Sequence, residues 1–243
     1  TTIPQTIDDL KIEQAIAREA LSLSFKQHKD FAVSLKGIQQ ARTISDTFEQ
    51  SSTGESLVDM ISLDLIVGSG GVISHAPKRN QAARLLIDSF LPEGITELAV
   101  DSIFMMPQLG VLSEVHLEAA LEVFNKDCLV RLGTCISPTG KIKSGVLCEY
   151  IIKNDNTNIT GKLNHSELLL HELPYESFEI EIEPRRGIDM GAGPGISIKK
   201  EIYGGQVGIF MDGRSRPIKF NDRDENIKQI KKWSLSTKEF FED

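Results

Sequence analysis

The 243-residue chain reads as an α/β protein in two parts: an α/β lobe over residues 1–137 and a β-rich, barrel- or sandwich-like domain over residues 138–243. Three features carry that expectation. Helical and strand periods alternate through the first half, the pattern of an α/β layer. The texture changes at Ser137-Pro138-Thr139-Gly140, beyond which short alternating runs dominate. The apolar run Leu65-Ile66-Val67 ends in Gly68-Ser69-Gly70-Gly71, the pattern of a buried strand that turns sharply.

In chain order, residues 8–28 predict a helix. Asp8 or Asp9 is the expected cap, and Ile12, Ala15, Ile16, Ala20 and Leu23 form the apolar stripe. Residues 31–35 alternate as a strand, Lys36-Gly37 marks a turn, and residues 38–48 fit helix or strand, with the Thr-rich alternation favouring strand. A polar loop at 50–54 leads to a short helix at 56–61 and a strand at 63–67. Residues 79–90 predict a helix with Ala82, Ala83, Leu86, Ile87 and Phe90 on one face. A strand at 97–100, a loop through Met105-Met106-Pro107, a helix from Ser113 to Phe124 and a strand at 127–132 complete the first part. In the second part the expected strands are 145–152, 167–171, 177–183, 196–203 and 206–211, with Asp155-Asn156-Thr157-Asn158 as a loop and 224–233 as a closing helix.

The glycine stretch is the leading candidate site. Bare backbone there admits a ligand, and peptide N–H groups at such a turn form a concavity for an anion; a tight turn without a ligand explains the glycines equally well. No Lys-Ser or Lys-Thr follows, so it is not a Walker A loop. The dinucleotide fingerprint fits poorly, because its third glycine falls on Ile73. Pro77 disfavours helix at Ala76, so the helix is expected to open near Arg79 rather than on the glycines.

A strand, this turn and a delayed helix resemble the adenosine-side loop of the actin, heat-shock-chaperone and sugar-kinase superfamily. Further blocks sharpen the likeness: Gln81-Ala82-Ala83, Pro92-Glu93-Gly94, Asp101-Ser102-Ile103-Phe104-Met105-Met106-Pro107, Leu132-Gly133-Thr134-Cys135, Arg186-Gly187-Ile188-Asp189-Met190-Gly191-Ala192-Gly193, Gly204-Gly205-Gln206-Val207-Gly208 and Asp212-Gly213-Arg214-Ser215-Arg216-Pro217. Together they resemble the glutamate mutase-associated MutL family, unrelated to the mismatch-repair protein of that name, over roughly residues 57–233. The resemblance implies the C-terminal lobe of an actin-like ATPase fold followed by the β-rich domain. It also implies ATP or ADP with Mg²⁺ as cofactor, and subunits of an adenosylcobalamin-dependent mutase or aminomutase as partners. The implied role is ATP-driven reactivation of that mutase. Gly68, Ser69, Gly70, Gly71 and Ser74 would line the adenosine and α-phosphate side. The phosphate loop of such a site belongs to a first lobe that nothing before Leu63 supplies. The expectation is therefore a half-site, a partner lobe of the same protein preceding Thr1, and no ATP hydrolysis by this piece alone. A scaffold keeping the half-fold without nucleotide is the alternative.

Composition narrows the field. Twenty-seven basic residues against 35 acidic ones leave a net charge of −8, which argues against nucleic acid and anionic membranes as partners. No apolar run approaches the ~20 residues of a membrane span, and no signal peptide is visible. Cys128, Cys135 and Cys148 have neither metal-site spacing nor an even count, which fits buried thiols in a reducing cytoplasm. Glu179, Glu181 and Glu183 alternate with apolar residues as a solvated strand face, in preference to a metal or basic-partner site. His75 reads as a surface histidine, and Met105-Met106 as core filling or a plastic partner surface. Asp101 either faces a cleft or caps backbone N–H groups. The Asp189–Gly193 run falls too late for the superfamily's phosphate turn and reads as a glycine-rich turn or a partner contact.

Overall fold

The computed structural model describes residues 3–32, 58–141, 144–220 and 222–240. Helix α1 (Ile7–Phe31) opens on Thr6, whose side chain caps Asp9 N–H while the Asp9 carboxylate accepts from Thr6 N–H. This reciprocal box, rather than Asp8 or Asp9 alone, starts the helix. The expected elements between residues 33 and 57 lie outside the described residues. A 3₁₀ turn at Met60–Ser62 replaces the short helix and leads to β1 (Leu65–Gly68). Then come α2 (Gly71–Ser74), α3 (Arg79–Phe90) and β2 (Gly94–Asp101), a right-sized βαβ unit whose strands run parallel.

Two helices follow where one helix and a loop were expected: α4 (Met106–Ser113) and α5 (Leu117–Val123). Pro107 occupies the first turn of α4, where a missing N–H costs nothing, so Met105-Met106-Pro107 opens a helix. Ser113 ends α4, its hydroxyl donating to Gly110 O at 2.6 Å, and His116 caps α5. A π turn at Phe124–Cys128 enters β3 (Leu129–Ser137).

Beyond β4 (Thr139–Gly140) the strands are β5 (Val146–Lys153), β6 (Asn158–Asn164), β7 (Leu168–His171), β8 (Ser177–Pro184), β9 (Ile188–Asp189), β10 (Ile198–Tyr203) and β11 (Gly208–Asp212). Helix α6 (Arg223–Ser236) closes the chain. Strand β6 was not expected, because only Ile159 and Leu163 interrupt its polar run.

The sheets show how the parts join. One sheet has the order β1-β2-β3-β11-β7 with mixed directions; the other, β10-β8-β5-β6, is wholly antiparallel. Strands β7 and β11 come from beyond residue 138, yet they complete the sheet begun by β1–β3. The expected boundary at 137/138 therefore does not separate two independent cores. Leu98, Leu132 and Phe210 face a core shared with α3 and Trp233 of α6. Ile136, Ile209 and Met211 face a second core with Tyr150, Ile180 and Ile202 of the antiparallel sheet. The result is three layers: helices, a five-stranded mixed sheet and a four-stranded sheet. At the β3–β11 contact a Cβ on Gly133 would fall 1.7 Å from Gly208 O, so only glycine permits the strands' approach.

Helix α1 presents the opposite face from the one its apolar stripe predicts. Ile12, Ile16 and Leu23 are more than half exposed, whereas Gln14 is fully buried and Ala17 and Leu21 pack on the helical-layer core. Two contacts set this rotation. Phe25 meets Phe90 edge-on, centroids 5.1 Å apart, and Arg18 Nε donates to Asp88 at 3.2 Å.

Asp88 belongs to a buried ion cluster. Arg214 Nε and Nη2 each bind Asp212 at 2.8 Å, and its Nη1 binds Asp88 at 2.7 Å. Arg84 binds Asp88 at 2.9 Å and Glu239 at 3.4 Å, Arg216 binds Asp212 at 2.8 Å, and Arg18 also reaches Glu239. The Arg214 guanidinium lies over Trp233, 5.0 Å from the ring centroid. Burial alone would push the Asp88 carboxyl up, but Arg84, Arg214 and Arg18 hold it well below the usual carboxylate range. Burial is likewise outweighed at Asp212 by Arg214 and Arg216.

All three thiols are buried, and burial pushes Cys135 and Cys148 up to about 12, which keeps them protonated and unreactive.

Removing one partner of this cluster strands guanidinium charge in the interior. Asp88→Ala should cost about 3–5 kcal/mol, read as a lower urea midpoint at unchanged m-value. The two depressed carboxyls contribute fully above the unfolded-chain value near ~3.9, and that contribution is lost as pH falls from there through their folded values. The midpoint should stay level from pH 7 to about 5 and fall steeply below about 4, and Asp88→Ala should flatten the fall.

Candidate functional site

The glycine turn sits where the parallel pair β1–β2 meets the helices. Gly68, the last residue of β1, is buried, and a Cβ there would lie 2.9 Å from both Ile73 Cγ2 and Leu86 Cδ2. Packing alone therefore accounts for this glycine. Gly70 has φ +103° and precedes the first turn of α2; no heavy atom lies within 4 Å of where its Cβ would be. The same space is open at Gly71, whose φ is ordinary. The helical turn of α2 thus starts on the glycines, earlier than expected. It breaks at His75–Lys78 before α3 because Pro77 cannot continue it.

Ser74 is buried, and its hydroxyl donates to Asp101 O at 2.6 Å. That contact ties the end of α2 to the end of β2 and commits the side chain to the scaffold. Ser69 Oγ is buried without a hydrogen-bond partner. So are both amide atoms of Gln14 on α1 and Gln81 Nε2 on α3. The three elements framing the turn, α1, α2 and α3, pack on one another, and each carries or adjoins one of these orphaned groups. Unsatisfied buried polar atoms are rare in folded proteins, and each calls for an explanation such as a bound water or ion; Arg84 Nε and Ser89 Oγ, farther along α3, are unpartnered too.

Beside the turn runs a groove of about 550 Å³, walled by Ile12, Ile16 and Ala17 of α1, Ile3 and Pro4 before it, and Val72 next to Gly71. Glu13 and Gln5 border it. Its lining is mostly apolar but open, with Ile12 and Ile16 more than half exposed and the carboxylates of Asp9 and Glu13 at its edge. A second concavity of about 150 Å³ lies between α6 and the loop after β11, but its Arg214 is already bound to Asp212 and Asp88.

The remaining candidates resolve as follows. Asp101 is fully buried; its carboxylate accepts from Ile103, Met105 and Met106 N–H at 3.4, 3.2 and 3.0 Å, so it caps a loop and the start of α4. His75 is exposed and ends α2. Asp189 Oδ1 accepts from Gly191 and Gly193 N–H at 2.7 and 2.9 Å, a side-chain-stapled turn. Glu179 and Glu181 lie on the outer face of the antiparallel sheet, interleaved with Lys153 and Lys199. Hydrogen bonds from Lys153 and then Lys199 bring the Glu181 carboxyl down to about 2. Among the described residues no group of three or more His, Cys, Asp or Glu is placed to hold a metal ion, and no helix is long and apolar enough to cross a membrane.

Sequence reasoning missed Gln14, Gln81 and the ion cluster. Arg214 stands in the Asp212–Pro217 run, but nothing local marks Asp88 as its partner across 126 residues.

No curated protein and no solved structure matches the chain. Residues 1–128 match the family described as MutL protein. That stretch includes α1 and the first fifty-odd residues, which resemble the family only loosely by eye, while the blocks at 186–193, 204–208 and 212–217 fall beyond it. It takes in the glycine turn, the groove and the α4–α5 hairpin, and since it spans more than half of the chain, this protein belongs to the glutamate mutase-associated MutL family.

Proposed function

We propose that this chain supplies the adenosine side of an ATP site in a factor that reactivates an adenosylcobalamin-dependent mutase or aminomutase. The observation that carries the reading is the bare backbone of Gly70 and Gly71, with open space where a Cβ would stand, directly before Val72 of the apolar groove. Family membership supports the association with a mutase. On this reading Gly70 and Gly71 lie against the ribose and α-phosphate, since no Cβ keeps them at a distance. Ile12, Ile16 and Val72 flank the purine. These residues bind and orient the nucleoside and exclude water from one side of it. When bound, ATP would supply the free energy of γ-phosphoryl transfer to water, chemistry whose positioning groups this half-site does not provide.

A second reading, a scaffold that uses no nucleotide, draws on Gly68 and Ser74, both of which packing explains without a ligand.

Gly71→Val separates the two. Its side chain enters open space at an ordinary φ, so the fold should keep its melting temperature. In the intact protein, calorimetry with ATP or ADP and Mg²⁺ should show binding that the variant weakens at least ~10-fold, together with loss of the nucleotide-induced rise in melting temperature. Absence of binding by the parent protein, or unchanged affinity in Gly71→Val, removes the nucleotide reading and leaves the scaffold. Ser74→Ala should instead lower stability by about 1–2 kcal/mol in urea titration, because Asp101 O loses its buried donor.

A further inference from the structure

We infer that the α4–α5 hairpin is a docking surface for a partner protein presenting an apolar ridge rimmed by lysine or arginine. The hairpin and its leading loop hold an unusual share of exposed apolar side chains. Ile103, Phe104 and Leu117 are each 56% exposed, Leu121 50%, Val111 73% and Val115 86%. Six such residues present on the order of 700 Å² of surface, comparable to the ~800 Å² that one side of a standard interface buries. Isolated exposed apolar residues need no explanation, but this concentration on one two-helix unit does.

The loop before α4 is built to hold its tip outward. Asp101, fully buried, binds three N–H groups of that loop, and Ser102 N–H and Oγ both bind Cys128 O at 2.9 Å. Between these anchors Phe104 has φ +59°, a conformation that is strained for a bulky residue and recurs at ligand clamps. A strained aromatic held in solvent by a buried carboxylate has the character of an interface anchor.

The rim supplies the sign of the partner. Glu114 and Glu118 are exposed on the hairpin and in no ion pair among the described residues, and Asp127 follows at its end. Lys126 is the basic residue nearby, and it is paired with Glu122 at 2.7 Å. Two copies docked face to face would bring acidic rims together in a chain already at −8, whereas a basic rim is attracted. An anionic lipid surface is disfavoured by the same charge.

The test uses two synthetic amphipathic helical peptides that share one leucine face, one flanked by lysines and the other by glutamates, with binding read by fluorescence anisotropy. The lysine peptide should bind the chain at least ~10-fold more tightly than the glutamate peptide. Phe104→Ser and Leu117→Ser should each weaken it about tenfold with melting temperature unchanged, because both side chains are exposed. Tyr175→Ser, an equally exposed aromatic outside the hairpin, should leave binding as it was. Equal binding of the two peptides, binding of neither, or indifference to Phe104→Ser overturns the proposal. A dimer in sedimentation that Phe104→Ser dissociates also overturns it, assigning the surface to a second copy.

Discussion

Arg214 ties three helices, α1, α3 and α6, to the end of β11. Its guanidinium joins Asp212 at the end of β11 to Asp88 on α3, and through Asp88 to Arg18 on α1 and Arg84. Glu239, after α6, closes the far side through Arg84 and Arg18. Four guanidinia and three carboxylates are thus held among elements separated by up to 221 residues in sequence. Such a cluster is weak evidence for added stability, since an apolar replacement of equal volume often does as well. What it does is select one arrangement. A helix rotated by one residue, or docked one turn away, would leave a buried charge without its counter-ion.

The orientation of α1 follows from that selection. An apolar stripe at Ile12, Ile16 and Leu23 would go inward if burial alone decided, at roughly 25 cal/mol per Å² of apolar surface. Arg18 and the Phe25–Phe90 contact turn the helix the other way, and the stripe is left to form one wall of the groove beside Gly70 and Gly71. The ion cluster and the candidate site are therefore one problem. The constraint that orients α1 is also what opens an apolar slot next to bare backbone.

What was legible in the sequence was local. Helix α3 has the bounds its period predicts, and the five strands expected in the second part fall within a residue or two of their alternating runs, whereas β4, β6 and β9 gave no such run. Legibility failed where a distant residue decides the outcome. The face of α1 depends on Asp88, and the joining of β7 and β11 to β1–β3 depends on register that no run of residues encodes. The expected loop at Met105-Met106-Pro107 is the start of α4, since proline suits a helix's first turn. At the glycine turn the residue types pointed to a site, and only the open space beyond Gly70 and Gly71, contrasted with the crowding at Gly68, shows which glycines face outward.

A single hydrogen bond places the two candidate surfaces in mechanical contact. Ser74 ends the helical turn that begins on Gly71, and its hydroxyl holds Asp101 O at 2.6 Å. The Asp101 carboxylate in turn holds the loop that carries Phe104. From bare glycine to exposed phenylalanine the path is one four-residue turn, one side-chain hydrogen bond and one buried carboxylate. Packed interiors deform by discrete repacking more readily than by continuous strain. Breaking the Ser74–Asp101 bond would leave a buried carbonyl without its donor, so this bond holds the end of α2 and the root of the Phe104 loop in one fixed arrangement.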